Sequence, residues 1–172
     1  MRLSDTLAIG TGGGGLGEGI GLCLARAGAQ VVVSDLSLEN AEKVVEKIRE
    51  SGFSAIANQT DVRKAEDCGL MVEDALSAFG RLDTLVCNAG VDGLPSADPE
   101  TPPLLENVEE ADWDLVMDVN LKGVFLSCAA AIPYFKEQCR GRIINISSVA
   151  GRQGIEFLPA CAASKAAVIS ST

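Results

Sequence analysis

Apolar residues in this chain follow two alternating patterns, short continuous runs and longer stretches with helical spacing. The short runs lead into glycines or polar residues, as buried strands of a parallel sheet do. These runs predict strands over residues 7–9, 31–33 with the closing residues Ser34 and Asp35, 54–57, 82–87 and 142–147.

The stretches between the runs carry apolar residues at helical spacing and predict helices. Ser37 is placed to cap the second helix, and Gly28, Gly52 and Gly80 are placed to end the first three. Pro133 predicts a kink or a division near the end of the fourth helix. The predicted helices cover residues 17–27, a segment after Ser37 with the apolar stripe Ala41, Val44, Val45 and Ile48, residues 68–79, residues 109–138 with Trp113, Val116, Met117, Val124 and Phe125 as core, and a segment that begins near Ala162.

Strands that alternate with helices indicate an α/β fold, a Rossmann-type doubly wound parallel sheet flanked by helices. The length of 172 residues suits a single domain over residues 1–172, and the chain has no internal repeat. Residues 91–108 hold four of the six prolines and predict a long irregular loop of a functional kind. We expect this loop to border a substrate mouth, where Asp92, Asp98 and Glu100 disfavour a polyanionic substrate.

The composition narrows the classes of partner and cofactor. A net charge of −10 predicts a surface that repels phosphate backbones and anionic membranes, so we expect no nucleic-acid partner. The chain has no histidine, and none of its six cysteines forms a C-x-x-C pair, so we expect no metal site. No run of 18 uncharged apolar residues and no signal-peptide core occur, so we expect a cytoplasmic protein with reduced thiols and no membrane span.

A strand, a glycine turn and a helix at the N-terminus predict a phosphate-binding site. The helix N-terminus supplies free N–H groups, and glycines allow close approach of a pyrophosphate. Asp35 closes the second strand, where a carboxylate accepts from ribose hydroxyls and repels a 2′-phosphate, which favours NAD over NADP. The alternatives are a flexible glycine turn and a helix-entry aspartate. The turn contains Gly12, Gly14, Gly15, Leu16 and Gly17, of which three fit G-x-G-x-x-G.

Further motifs follow in an order that resembles the short-chain dehydrogenase/reductase family. They are Asp61-Val62, Asn88-Ala89-Gly90, Asn120, Ser148 and Lys165. The resemblance implies that Asp61 and Val62 contact adenine, and that residues 88–90 line the cofactor cleft. The family's turn reads Thr-Gly-x-x-x-Gly-x-Gly. Here it is matched either from Gly10-Thr11, with that pair reversed, or from Thr11-Gly12, one residue short.

The same resemblance implies the chemistry of hydride transfer between a carbinol carbon and a nicotinamide. Asn120 would position a relay water, Ser148 would hold the substrate oxygen, and Lys165 would bind the nicotinamide ribose and lower the pKa of a tyrosine. Cys161 stands where the family has that tyrosine, and its thiol is several ångströms shorter than a phenol. Cys161 is therefore either a reactive thiol beside Lys165 or a plain helix-start cysteine; Ser147 is a weaker alternative to Ser148, and nothing places Tyr134 at the site.

Three readings of function stay open. The first is an NAD-dependent oxidoreductase that exchanges hydride between a secondary alcohol or ketone and NAD(H), impaired by Cys161. The second is a non-catalytic subunit or pseudoenzyme that keeps the fold and partners an active homologue. The third is another Rossmann-type binder without a redox role.

The resemblance also implies strands beyond Thr172, so we expect a domain incomplete at its C-terminus, without the last strands of the usual fold. The fifth strand would then be an exposed apolar edge. We expect a homo-oligomer, or a heteromer with a homologous subunit. The residues expected at its interface are Val116, Val124 and Phe125 on one helix and Ala166, Ala167, Val168 and Ile169 on the other.

Overall fold

The computed structural model describes residues 3–92 and 104–172. Strands and helices alternate along it, as the hydrophobic pattern predicts. The strands are β1 (Leu7–Thr11), β2 (Gln30–Asp35), β3 (Ala55–Gln59), β4 (Thr84–Cys87) and β5 (Arg142–Asn145). The helices are α1 (Leu16–Arg26), α2 (Leu38–Glu50), α3 (Ala65–Phe79), α4 (Glu110–Met117), α5 (Gly123–Glu137) and α6 (Pro159–Ser170), with short 3-10 turns at Leu105–Asn107 and Val149–Gly151.

All five strands form one parallel sheet in the order β3-β2-β1-β4-β5. The α/β Rossmann-type prediction is therefore confirmed. The strand order reverses between β1 and β4, and doubly wound sheets bind ligands outside the carboxyl ends of their strands at such a point. The glycine turn after β1 and residues 88–90 after β4 meet there.

The sheet is covered on both faces because successive strand residues point to opposite sides. On one face Leu7, Ile9 and Val32 pack with buried residues of α3, α5 and α6. On the other face Val31 and Val33 pack against α1 and α2. The predicted stripe on α2, Ala41, Val44, Val45 and Ile48, is fully part of this second core.

The long helical stretch differs from the prediction in two respects. It runs through Pro133 to Glu137 without dividing there, and its irregularity is a π turn at Asp118–Lys122. Phe125, predicted as core, is 64% exposed, because the buried face of α5 is carried by Val124, Ser127 and Ala131. By length and apolar composition Glu110–Glu137 could cross a membrane, a property that core helices of soluble proteins share.

The expected interface also needs correction. Val116, Val124 and Val168 are buried inside the chain's own core and offer nothing to a partner. Exposed large apolar residues of this region include Phe125, Ile132, Ile144 and Ile169, and β5 pairs with β4 alone within the described residues. Residues 93–103, which make up most of the proline-rich loop, lie outside the described residues. The expectation that Asp98 and Glu100 border a substrate mouth therefore remains a prediction.

Candidate functional site

The glycine turn between β1 and α1 depends on two close backbone approaches. A Cβ on Gly17 would lie 1.6 Å from the carbonyl oxygen of Gly12, so α1 can pack onto the turn only if this residue is glycine. Gly12 has φ +79°, and a Cβ there would lie 2.9 Å from Cα of Ala89. Gly14 and Gly15 face open space. Within the described residues no side chain caps the N-terminus of α1, and the N–H of Gly17 bonds to the Gly14 carbonyl oxygen at 2.9 Å. The first turn of α1 thus offers backbone N–H groups that no side chain occupies.

Asn88 ties the glycine turn to the end of β4. Its side-chain Nδ2 donates to the carbonyl oxygens of Thr11 and Gly12, at 3.1 and 3.0 Å. The hydroxyl of Thr11 in turn accepts from the backbone N–H groups of Asn88 and Ala89, both at 3.1 Å. This asparagine therefore fixes the distance between the two strands at the point where their order reverses.

Asp35 lies at the carboxyl end of β2 and braces the same turn. Its Oδ2 accepts from the N–H of Gly13 at 2.7 Å, and its Oδ1 accepts from the N–H of Ser37 at 2.9 Å. Both partners are neutral amides, so the negative charge of the carboxylate is not cancelled by a cation among the described residues. Ser37 caps α2 as predicted, accepting from the N–H of Asn40.

Asp61, after β3, is held differently. Arg63 binds both of its carboxylate oxygens, at 2.8 and 2.7 Å, and Asp67 accepts from its backbone N–H at 3.0 Å. The hydrogen bonds from Arg63 lower the pKa of Asp61, although burial acts to raise it. Val62 packs against α5, where a Cβ on Gly123 would lie 2.7 Å from its Cγ2. The carboxylate expected to contact adenine is thus already occupied by a guanidinium.

Gly12, Asp35, Asp61 and Val62 line one cleft at the carboxyl edge of the sheet, with a volume of about 350 Å³. A larger surface hollow of about 780 Å³ lies between α2 and β3, is lined by four glutamates and holds none of the predicted site residues. The cleft at the carboxyl edge of the sheet is therefore a better candidate than the surface hollow for a dinucleotide site. Its walls include Gly12, Asp35, Asp61, Val62, Arg63, Ala89, Gly90, Val91, Leu115 and Val119.

Asn120 lies in the π turn between α4 and α5 and is fully buried. Its Oδ1 accepts from the N–H of Val91 at 2.7 Å, and its Nδ2 donates to the carbonyl of Val91 at 2.8 Å and to Ser164 Oγ at 3.2 Å. Ser164 Oγ donates to the carbonyl of Cys161 at 2.8 Å. Asn120 therefore connects the segment after β4 to α6.

Lys165 points from α6 toward the same place. Its side chain is 7% exposed, and its Nζ donates to the carbonyl of Ile146 at 2.8 Å. A Cβ on Gly90 would lie 3.4 Å from this Nζ and 3.2 Å from Asn120 Oδ1, so both groups lie against residues 88–90. Burial lowers the pKa of Lys165, while Cys161 and Cys87 act to raise it.

The two adjacent serines have different surroundings. Ser147 Oγ donates to the carbonyl of Lys165 at 2.9 Å and holds α6 in place. Ser148 is half-buried, and its Oγ accepts from the N–H of Ala150 at 3.2 Å, which leaves its hydroxyl proton free to point elsewhere. The geometry thus favours Ser148 over Ser147 as the group that meets a substrate oxygen.

Cys161 lies four residues before Lys165 in the first turns of α6 and is 8% exposed. Burial raises the pKa of this thiol; Lys165 acts to lower it and Asp92 to raise it. Tyr134, the chain's one tyrosine, packs against the core on α5. Cys161 has a thiol in place of a phenol, and Tyr134 lies on another helix, so neither residue places a phenol beside Lys165.

The structure brings together nearly all of the predicted site residues, and it adds some that sequence reasoning missed. Arg63 was missed, although its place two residues after Asp61 was a signal that the pair could meet. Ser164 was missed as well, and its contact with Asn120 spans 44 positions, for which the sequence gives no signal. Thr11 was noted only as part of the turn.

Known proteins with similar sequences and folds include short-chain dehydrogenases and reductases. The family model described as short chain dehydrogenase matches residues 6–172. The 3-oxoacyl-[acyl-carrier-protein] reductase FabG of Staphylococcus aureus is 38% identical over 173 residues, covering 100% of this chain and 67% of its own length. The peroxisomal multifunctional enzyme type 2 of Drosophila melanogaster is 41% identical over 164 residues, covering 90% of this chain and 26% of its own.

A solved structure, that of NAD⁺-bound xylitol dehydrogenase, superposes with a TM-score of 0.92 at 29% identity and covers 100% of this chain and 64% of that one. The chain therefore spans about two thirds of the length of the bacterial reductase and of this dehydrogenase.

Proposed function

This chain belongs to the short-chain dehydrogenase family, and from that premise we propose that it binds NAD(H) at a site for hydride exchange with a secondary alcohol or ketone, and that Cys161 impairs its proton transfer. The observation that carries this proposal is the buried Lys165 beside Asn120 and residues 88–90, with a thiol where a phenol would serve.

The cleft fits a dinucleotide. The uncapped N-terminus of α1 and the open space at Gly14 and Gly15 suit a pyrophosphate, and Asp35 suits a ribose diol. Asp61 and Val62 would lie at the adenine, with the charge of Asp61 already balanced by Arg63. The remaining residues of the turn and of the β4 end that would hold the cofactor are Gly12, Leu16, Gly17, Asn88, Ala89 and Gly90, and Lys165 would bind the nicotinamide ribose.

The preference for NAD rests on the charge of Asp35. Its oxygens accept from two neutral amides, so it keeps a net negative charge that would repel a 2′-phosphate. We expect calorimetric titration to give tighter binding of NAD than of NADP, and Asp35→Asn to reduce the difference. Equal or tighter binding of NADP by the unchanged chain would contradict this preference.

Bound nicotinamide supplies hydride acceptance and donation; the chain's own residues must place the substrate and move one proton. Ser148 Oγ is free to donate to the substrate oxygen. Lys165 presents a buried cation that favours the ionised form of a neighbouring acid. Asn120 positions Val91 and α6 around this point.

Cys161 Sγ is a poor substitute for the phenolic oxygen. The thiol is several ångströms too short to reach an oxygen held by Ser148, and S–H is a weak donor. Burial raises its pKa, so the sulfur stays protonated at neutral pH. Proton transfer requires reach before it requires a matched pKa.

The test compares Cys161→Tyr with the matched control Cys161→Ser, which has a similar length and no phenol. We expect turnover of a panel of secondary alcohols and ketones to rise about 10²–10⁴-fold in the tyrosine variant alone. An unchanged chain that turns over at the rate of a working dehydrogenase would overturn the impairment.

The same thiol favours a second candidate function, that of a non-catalytic subunit that keeps the fold and partners an active homologue. We infer a cytoplasmic homo-oligomer or heteromer, supported by the exposed Phe125, Ile144 and Ile169. Light scattering at micromolar concentration should give a mass above one chain, alone or after mixing with an active homologue. NAD binding without any rise in turnover on Cys161→Tyr would favour this second function.

A further inference from the structure

Two cysteines that the proposed function does not use lie against each other beneath the site. Cys87 is the last residue of β4 and is 3% exposed; Cys128 lies on α5 and is half-buried. Their sulfur atoms are 3.9 Å apart. We propose that Cys87 and Cys128 are a modification site, a dithiol that a peroxide oxidises to an intramolecular disulfide. This inference does not rest on the proposed function.

The surroundings give the two thiols different roles. The two thiols share a hydrogen bond in which either sulfur can donate, and Cys128 S–H donates to Asn145 Oδ1 at 3.8 Å. The bond with Cys87 lowers the pKa of Cys128, whereas that contact and burial raise the pKa of Cys87 well above its usual range. Cys128 is the more exposed residue of the pair, so we assign it as the first nucleophile.

The reaction balances with hydrogen peroxide as the oxidant. Cys128 sulfur attacks one peroxide oxygen, the O–O bond breaks, and water leaves with a sulfenic acid on Cys128. Cys87 sulfur then attacks Cys128 sulfur, the S–O bond breaks, and the hydroxide leaves as a second water with the proton of Cys87. The two thiols lose two electrons and two protons in total, and the peroxide gains both.

Formation of a disulfide between Cys87 and Cys128 needs only a small displacement of their sulfur atoms. The sulfur atoms must close from 3.9 Å to about 2 Å. β4 is held by β1 on one side and β5 on the other, so closure of the two sulfur atoms requires α5 to shift toward the sheet. Asn120 lies in the π turn that continues directly into α5, so the movement should loosen its hydrogen bond to the Val91 N–H.

The experiment treats the full chain with one equivalent of hydrogen peroxide and maps peptides by mass spectrometry without reduction. We expect a loss of two hydrogen masses from the chain and a linked peptide pair that contains Cys87 and Cys128. Reduction should restore both the mass and the separate peptides. The linked peptide pair is sought in the unchanged chain, so this test does not depend on whether a variant folds.

Matched variants separate this site from the other thiols. Cys139→Ser removes an exposed cysteine and should leave the linked pair intact, whereas Cys128→Ser should abolish it. Oxidation confined to Cys23 or Cys139, a sulfinic acid on Cys128 without linkage, or no reaction would each overturn the proposal.

A second measurement reads the link to the site. Amide exchange at Val91, followed by NMR, should be faster in the oxidised chain, since its N–H bonds to Asn120. Unchanged exchange at Val91 would overturn this coupling and leave the modification itself. Neither readout needs a bound nucleotide, so failure of the NAD proposal would be seen separately.

Discussion

The first and second halves of the sheet build their parts of the cleft from different material. We call residues 7–63 the cofactor half, because backbone N–H groups, glycines and two carboxylates form its part of the site. We call residues 84–170 the chemistry half, because its part of the site consists of side chains, such as that of Lys165, that extend toward residues 88–90. Gly13 N–H is fixed by Asp35 at 2.7 Å, whereas Lys165 reaches its place through a whole buried side chain. A site made of backbone tolerates most substitutions around it, and a site made of side chains depends on the length of each.

Under the proposed function, this difference would let one residue, Cys161, affect proton transfer without affecting nucleotide binding. Cys161 leaves the glycine turn, Asp35 and Asn88 untouched, because all of their contacts lie among residues 11–13, 35–37 and 88–89. The proposal therefore expects the shorter side chain of Cys161 to affect proton transfer alone, and nucleotide binding to be separable from it.

The largest expected effect comes from breaking the cofactor half at its tightest contact. Gly17→Ala places a Cβ 1.6 Å from the Gly12 carbonyl, so the turn must open. We expect the free energy of unfolding to fall by roughly 4 kcal/mol or more, and NAD binding to be lost, as measured by urea unfolding and calorimetry.

The matched control is Gly19→Ala, two residues further along α1 at an exposed position, where a Cβ meets nothing within 4 Å. Alanine there should stabilise the chain by about 0.5–1 kcal/mol. Similar losses of stability in the two variants would mean that the close approach at Gly17 is not the cause of the loss.

The next effect compares two asparagines of the chemistry half: Asn88, which bonds to the glycine turn of the cofactor half, and Asn120, which bonds within its own half. Asn120 is fully buried and its loss would leave both polar groups of Val91 unpaired, so Asn120→Ala should cost about 3 kcal/mol. Asn88 is half-exposed, and water can replace its bonds to Thr11 and Gly12, so Asn88→Ala should cost about 1.5 kcal/mol. Denaturant unfolding measures both. The reverse order would contradict the view that burial decides the cost of losing each asparagine.

A smaller effect of opposite sign is expected at Lys165. A buried cation costs stability, so Lys165→Met should raise the free energy of unfolding by about 1–2 kcal/mol at pH 7. Burial lowers the pKa of Lys165 in the folded chain below the ordinary value of 10.5. Between these two pKa values the unfolded chain keeps the proton on Lys165 and the folded chain does not, so the free energy of unfolding rises with pH. The advantage of Lys165→Met should therefore shrink toward pH 10.5. A difference that stays constant with pH would show that charge burial is not its cause.

The smallest effect concerns Asp61 in the cofactor half. Arg63 lowers its folded pKa below 3.8, so the pair contributes stability above pH 3.8 that is lost as pH falls through the folded value. Asp61→Asn should cost about 1 kcal/mol at pH 7, because Arg63 is partly exposed. Unfolding curves of the variant and the unchanged chain should converge below pH 3.8, and a gap that persists there would point to packing instead.

The sequence by itself determined the order of strands and helices, the parallel sheet and the glycine turn. Hydrophobic period and glycine position are local properties, and they predicted β1, β2 and the buried stripe of α2 with small errors in their bounds. Leu82 and Asp83 fell outside β4, because apolar character alone does not mark where strand pairing begins.

Only the tertiary structure decided which groups meet and which remain free. It paired Asp61 with Arg63, joined Asn120 to Ser164 across 44 positions, and exposed Phe125 while it buried Val124. It also placed the irregular turn at Asp118–Lys122 and not at Pro133. These outcomes depend on how helices pack against the sheet, and a contact between distant positions has no local period to mark it.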